Sequence, residues 1–142
     1  MELSRIMLDS TAFGERSFLA WLRINLKHFN IFVSPIAYAE TALWYLYSGL
    51  SIEDLEDDLL ALKAEVPPIT KEIMKIAAKK ANINRRHLPF RHHARDYVIG
   101  AQAIVLHASI VTSNKKHFEW VSEINVFSPE EFVERTLKDL TD

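Results

Sequence analysis

The stretch from His93 to Phe118, HARDYVIGAQAIVLHASIVTSNKKHF, constrains the fold more than any other part of the chain. After Asp96 come Val98, Ile99, Ala101, Ala103, Ile104, Val105 and Leu106. That run is too continuously apolar for a helix with one face in water, so the segment is expected to be covered on most sides. A second apolar run, Ser109-Ile110-Val111, leads into Thr112-Ser113-Asn114 and reads as a buried strand with small polar groups at its carboxyl end. The acid heading the helix and the polar tail of the strand are expected to meet.

At 142 residues the chain is expected to form one domain spanning residues 1–142. A domain of that size buries roughly 68–70% of the surface its unfolded chain exposes. The absence of cysteine excludes disulfides, thiolate zinc sites and thiol catalysis, and fits a reducing cytoplasm. Met1-Glu2-Leu3-Ser4-Arg5 has no signal-peptide pattern, and no apolar run reaches the roughly 18 residues of a membrane span. The expectation is therefore a soluble cytoplasmic protein. A formal net charge of -2 and a pI near 6.3 argue against general attraction to nucleic acid, so any polyanion contact must come from a local patch.

Taken in order, Ile6-Met7-Leu8 is a short strand that stops at Asp9, and Ser10-Thr11 leads into a helix with Phe18, Leu19, Leu22 and Leu26 at helical spacing. Ile31-Phe32-Val33 is a second strand. Ser34 and Pro35 then supply an N-cap and a first-turn proline for a helix to about Ser48. On it Ile36, Ala39, Leu43 and Leu46 are expected to face inward, with Glu40 among them. Ser51 opens a helix with Ile52, Leu55, Leu59 and Leu62 buried, and Glu53, Asp54, Glu56, Asp57 and Asp58 on a solvated face. Val66-Pro67-Pro68-Ile69 breaks it, with a possible further strand before the next helix. Thr70 caps that helix, which buries Ile73, Ile76 and Ala77. Arg85, Arg86, Arg91 and Arg95, with His87, His92 and His93, then read as a basic loop feeding into Asp96, and Lys115-Lys116 continue the positive tone. Ile124–Phe127 is a last strand, and Ser128-Pro129-Glu130-Glu131 forms a capping box for a C-terminal helix. This alternation favours an α/β fold with a mostly parallel sheet and helices on both faces. Ligands in such folds gather outside the carboxyl ends of the strands, where Asp9 and Asn114 are expected.

Should Asp9, Glu40 and Asp96 converge, each ionised pair about 5 Å apart repels by roughly 3 kcal/mol at an effective dielectric near 20. Protonation or a divalent cation would relieve that strain. A donor set of carboxylate, amide and hydroxyl oxygens suits Mg²⁺ or Mn²⁺. A purely structural account is also open: Asp9 caps a helix, Glu40 pairs with a lysine or arginine, and Asp96 favours a helix N-terminus. The basic stretch can hold a phosphodiester backbone, be plainly solvated, or pair with the acids between Glu53 and Asp58. His92 and Asp96 stand four apart, but no third ligand is spaced with them for zinc. Tyr38, Trp44, Tyr45 and Tyr47 are assigned to packing or a subunit contact.

These residues, in order, resemble the PIN-domain nucleases, and most closely the VapC-type toxin ribonucleases. Leu8-Asp9-Ser10-Thr11 is similar to the family's opening strand-end aspartate, and Ser34-Pro35-Ile36-Ala37-Tyr38-Ala39-Glu40 to its helical glutamate motif. Arg95-Asp96-Tyr97-Val98-Ile99-Gly100-Ala101-Gln102-Ala103 and Val111-Thr112-Ser113-Asn114-Lys115-Lys116-His117-Phe118 resemble the third and fourth motifs. The resemblance implies a three-layer α/β/α sandwich with a mostly parallel central sheet of four to five strands. It further implies Mg²⁺- or Mn²⁺-dependent endoribonuclease activity on RNA, homodimers and, for toxin members, an antitoxin partner. On it Asp9, Glu40, Asp96 and Asn114 take the catalytic and metal positions, and Thr11 and Thr112 support them. Arg85, Arg86, Arg91, Arg95 and Lys115 are the candidates for gripping substrate. Asn114 and His117 stand where many members carry an aspartate; a neutral Asn114 can still orient water or a metal ligand. Two alternatives share these features: a PIN-domain nuclease of RNA processing, and a non-catalytic PIN-like module that binds RNA or protein.

Overall fold

The computed structural model describes residues 4–141. Met1 to Leu3, on which part of the signal-peptide reading rests, and Asp142 lie outside the described residues. The element order is β1 (Ser4–Leu8), α1 (Arg16–Ile24), β2 (Phe29–Val33), α2 (Pro35–Tyr47), α3 (Ile52–Ala61), α4 (Lys71–Ile83), α5 (Phe90–Leu106), β3 (Ser109–Val111), β4 (Val126–Phe127) and α6 (Pro129–Thr141). Short 3-10 turns at Ser10–Gly14, Leu26–His28 and Lys115–Phe118 join some of them.

The four strands pair in parallel in the order β2-β1-β3-β4. Ile6, Met7 and Leu8 point alternately to opposite faces of β1, yet all three are buried. Both faces of the sheet are therefore covered, as an all-parallel sheet requires, and the fold is the expected three-layer α/β/α sandwich. On one side α5 packs on β1 and β3 and is itself overlaid by α4, through a second cluster of Ile73, Ala77, Ala81, Tyr97, Val98 and Ala101. Elsewhere α1 and α6 meet through Phe18, Trp21 and Phe132, whose rings also contact Phe29 and Phe127. The strand expected between α3 and α4 is a single parallel bridge, Phe32 to Glu65.

From Asp96 to Ala103 every residue of α5 is buried, as the apolar run requires. The helix nevertheless begins earlier than expected, at Phe90, so Arg91 and Arg95 are helical and the basic loop shrinks to residues 84–89. Pro89 stands just before it, where its fixed φ suits a helix start. The backbone leaves helical geometry at His93 (φ -130°, ψ 16°), so Asp96 still lies in the first turn of the straight segment that follows.

The inward face of α2 differs more. Ala37, Thr41, Ala42 and Tyr45 are buried, whereas Leu43 and Leu46 are about half exposed. Apolar residues occur on every side of this helix, so periodicity carried little phase information, and Glu40 sits at the edge of the buried face rather than within it. Nor are the α3 acids simply solvated: Tyr45 donates to Asp58, and Tyr38 donates to Glu56, tying α2 to α3. Burial, then the bond to Asp58, raises the Tyr45 pKa above its ordinary value. Ile52, expected inside, stays at the surface. The caps at Ser34, Thr70 and Ser128 form as the sequence predicts.

Gly100 brings α5 close to the segment after β3. A β-carbon there would stand 2.6 Å from two ring atoms of Trp120 and 3.3 Å from Val121. The Trp120 ring is itself held against Tyr97, with centroids 4.9 Å apart, and its indole N–H donates to the His117 carbonyl. Gly100→Ala is expected to destabilise the domain by about 1–3 kcal/mol through forced repacking, read as a lower midpoint in urea unfolding followed by tryptophan fluorescence.

Candidate active site

Asp9, Glu40 and Asp96 meet around one guanidinium. Asp9 follows β1, and its backbone N–H donates to the Val111 carbonyl at 3.0 Å, which locks the ends of β1 and β3 together. Its carboxylate is fully buried. One oxygen, Oδ2, accepts from Thr112 Oγ1 at 2.9 Å and from Thr11 Oγ1 at 3.3 Å. The two threonines lie 3.2 Å apart, and each also accepts a backbone N–H: Thr11 from Ser113 and Thr112 from Asn114. These hydroxyls fix Asp9 and join it to the segment that follows β3. Asp96, 3% exposed, is presented by α5, and Glu40, whose side chain is 39% exposed, reaches in from α2.

The group that holds them together is Arg95. Its Nε donates to Glu40 Oε2 at 2.7 Å, Nη1 to Asp96 Oδ1 at 2.6 Å, and Nη2 to Glu40 Oε1 at 2.6 Å, to Ser10 Oγ at 3.3 Å and to Asp9 Oδ1. Ser10 Oγ in turn donates to Glu40 Oε1 at 3.1 Å. Burial on its own would lower the Arg95 pKa. The hydrogen bond to Glu40 and the charge of Asp9 outweigh it and hold the guanidinium firmly cationic. A planar fork of donors matches several carboxylates at once in a way a lysine could not. Three carboxylates against one guanidinium still leave two negative charges uncompensated. Nδ1 of His93 and of His117 lie 3.8 and 3.6 Å from Asp96 Oδ2, beyond hydrogen-bond length.

Sequence reasoning grouped Arg95 with the residues that would grip substrate; its guanidinium is instead committed to the acids. The pairing of Glu40 with an arginine, part of the purely structural account, is present. Ser10, His93 and His117 had no assigned role in the site. The remaining candidates lie apart from the acids. Arg85 donates to the Asn82 carbonyl, Arg86 and Arg91 are exposed, and Lys115 pairs with Glu131 at 2.9 Å, holding the Glu131 pKa down to about 2. Asn114 is exposed at the start of the Lys115–Phe118 turn; its backbone N–H, not its amide, joins the hydrogen-bond network.

The family model for the PIN domain matches residues 6–123. The chain belongs to the PIN-domain family. Among solved structures, this PIN domain is similar to VapBC-1 from nontypeable Haemophilus influenzae, at 20% identity and a TM-score of 0.65, over 89% of this chain and 98% of that one. It is also similar to VapBC2 from Rickettsia felis bound to a DNA fragment from their promoter, at 18% identity and a TM-score of 0.62, over 86% and 96% of the two chains. No curated protein matches it in sequence.

Members of this family generally use a divalent metal. Carboxylates of Asp9, Glu40 and Asp96, beside the hydroxyls of Ser10 and Thr11, are hard oxygen donors and fit Mg²⁺ or Mn²⁺ in kind. Their present spacing follows the guanidinium, and no set of three acids or histidines among the described residues is disposed around a single ion point. Charges of +2 and +1 held 4 Å apart repel by roughly 8 kcal/mol at an effective dielectric near 20, so an ion and the guanidinium compete for these oxygens.

Thr112→Val removes a donor to a fully buried carboxylate and the acceptor for Asn114 N–H. It is expected to destabilise the domain by about 1–3 kcal/mol in chemical denaturation.

Proposed function

We propose that this PIN domain is a divalent-metal-dependent endoribonuclease that hydrolyses RNA phosphodiester bonds, acting in the cytoplasm as the toxin of a toxin–antitoxin pair. The observation that supports it best is the meeting of Asp9, Glu40 and Asp96 at the carboxyl ends of β1 and β3, on the positions of the family's motifs. Buried and fixed by Thr11, Thr112 and the α5 backbone, Asp9 and Asp96 are the acids suited to hold Mg²⁺ or Mn²⁺, with Asn114 as a further oxygen donor. Glu40 is half exposed and reaches the cluster from a separate helix, which suits it to position a water and take its proton as the water attacks phosphorus. The ion, when bound, supplies electrostatic stabilisation of the charge developing on the phosphoryl oxygens. Arg85, Arg86 and Arg91 are exposed on the segment that leads to Asp96, where guanidinium groups can meet phosphates.

The VapBC names of the similar structures support an antitoxin partner. No helix among the described residues is long and apolar enough to cross a membrane. On α2, Leu43, Trp44, Leu46 and Tyr47 form an exposed apolar face that suits a homodimer or antitoxin contact. An antitoxin reading frame beside the gene would separate a toxin from a nuclease of RNA processing. A second reading, a module that binds RNA or protein without cutting, is favoured by one observation: Arg95 already compensates part of the acidic charge.

Labelled RNA is expected to be cut with Mg²⁺ or Mn²⁺ and left intact with EDTA. Removing groups that merely orient metal ligands costs 10–100-fold, so Asp9→Asn and Asp96→Asn are each expected to lose roughly 10²-fold or more in rate. Metal-independent cleavage, or full activity in both variants, would exclude this mechanism. Replacing Arg85, Arg86 and Arg91 together with alanine is expected to weaken RNA binding and flatten the slope of log Kobs against log salt by about 2, at ~0.7 per phosphate contact. An unchanged slope would assign these arginines to a protein partner instead.

A further inference from the structure

Among the described residues, Arg95 is the basic side chain that hydrogen-bonds to all three acids, and it does so with every nitrogen of its guanidinium. Nε and Nη2 bridge the two oxygens of Glu40, Nη1 takes Asp96, and Nη2 also takes Asp9. It thus sits on Asp9 and Asp96, proposed above to hold the metal, and on Glu40 beside them, while 28% of its side chain remains open to solvent. Its chain position is adjacent to Asp96 and four residues after Arg91, so on leaving the acids it remains at the rim of the site beside the exposed basic residues of the α5 N-terminal turn.

We propose that Arg95 is a built-in counter-ion that occupies the metal position, and that a divalent cation enters only by displacing its guanidinium. The inference rests on the metal reading of Asp9, Glu40 and Asp96. Two consequences follow from the geometry. Without metal, the guanidinium keeps three acids close together that would otherwise repel one another, so the site is assembled before the ion arrives. With metal, the affinity is reduced by the fraction of molecules in which the acids are free of Arg95, and removing the side chain lifts that reduction. The displaced guanidinium becomes free to meet a phosphate, which would restore to Arg95 the substrate contact its place in the basic stretch implies.

The test measures binding, not cleavage. Mn²⁺ is titrated calorimetrically into the wild-type chain, Arg95→Gln and Asp9→Asn. In parallel, the Arg95 Nε–H resonance of arginine-¹⁵N-labelled wild-type protein is followed during Mg²⁺ titration. If the guanidinium-bound state accounts for about nine molecules in ten, Arg95→Gln binds Mn²⁺ about ten-fold more tightly than wild type. The Arg95 Nε–H, held against Glu40 at 2.7 Å, then loses its exchange protection as Mg²⁺ saturates. Equal or weaker Mn²⁺ binding by Arg95→Gln, or an Nε–H that stays protected at saturating Mg²⁺, overturns the displacement and leaves the metal reading intact. Failure of wild type, Arg95→Gln and Asp9→Asn alike to bind Mn²⁺ at millimolar concentration overturns both. Should Arg95→Gln not fold, the wild-type resonance decides alone.

Discussion

Three carboxylates held at the carboxyl end of one small sheet repel one another, and the rest of the structure is arranged around that repulsion. Asp9 and Asp96 are almost wholly withdrawn from water, where their mutual field is least screened. Hydroxyls of Thr11 and Thr112 satisfy one oxygen of Asp9, and the Arg95 guanidinium gathers the other with Glu40 and Asp96. The acids and their donors come from different elements, so the cluster exists only when β1, β3, α2 and α5 are all in place. It is a reporter of complete folding as much as a candidate site.

The rigidity behind this comes from the sandwich. In parallel β1 and β3, the Asp9 to Val111 hydrogen bond extends the pairing by one residue past the last strand position, carrying the sheet register into the site. On α5 the buried run from Asp96 to Ala103 is held between that sheet, through Ile99 and Ala103, and α4, through Tyr97, Val98 and Ala101, and the clearance at Gly100 admits the Trp120 ring. Glu40 is the most exposed of the three acids, and it is held in the cluster by Arg95 and Ser10.

Much of this was legible in the residues. Strand-end Asp9, the apolar run after Asp96 and the Thr112 to Asn114 tail have strong local signals: a short run that stops, a period that vanishes, a hydroxyl at a strand end. The caps at Ser34, Ser51, Thr70 and Ser128 are legible for the same reason, since their chemistry is confined to four residues. The phase of α2 was not, because Leu43, Trp44 and Leu46 make its outer face as apolar as its inner one. Nor was the role of Arg95. Residues adjacent on a helix do not face the same way, so its nearness to Asp96 in sequence gave no reason to link them. Only the fold brings Asp9 and Glu40, 86 and 55 residues away, under the same guanidinium.

The lone bridge at Glu65 has a consequence for how this molecule meets others. β2 is an edge strand, and an uncovered edge is a template for strand addition. Glu65 covers it where it is most apolar: its N–H donates to the Ile31 carbonyl at 2.9 Å and its carbonyl accepts from Val33 N–H at 2.8 Å. The chain then passes into Pro67 and Pro68, which have no N–H to offer a further strand. The carboxyl-terminal half of this sheet edge, from Ile31 to Val33, is thereby closed to backbone pairing with another chain.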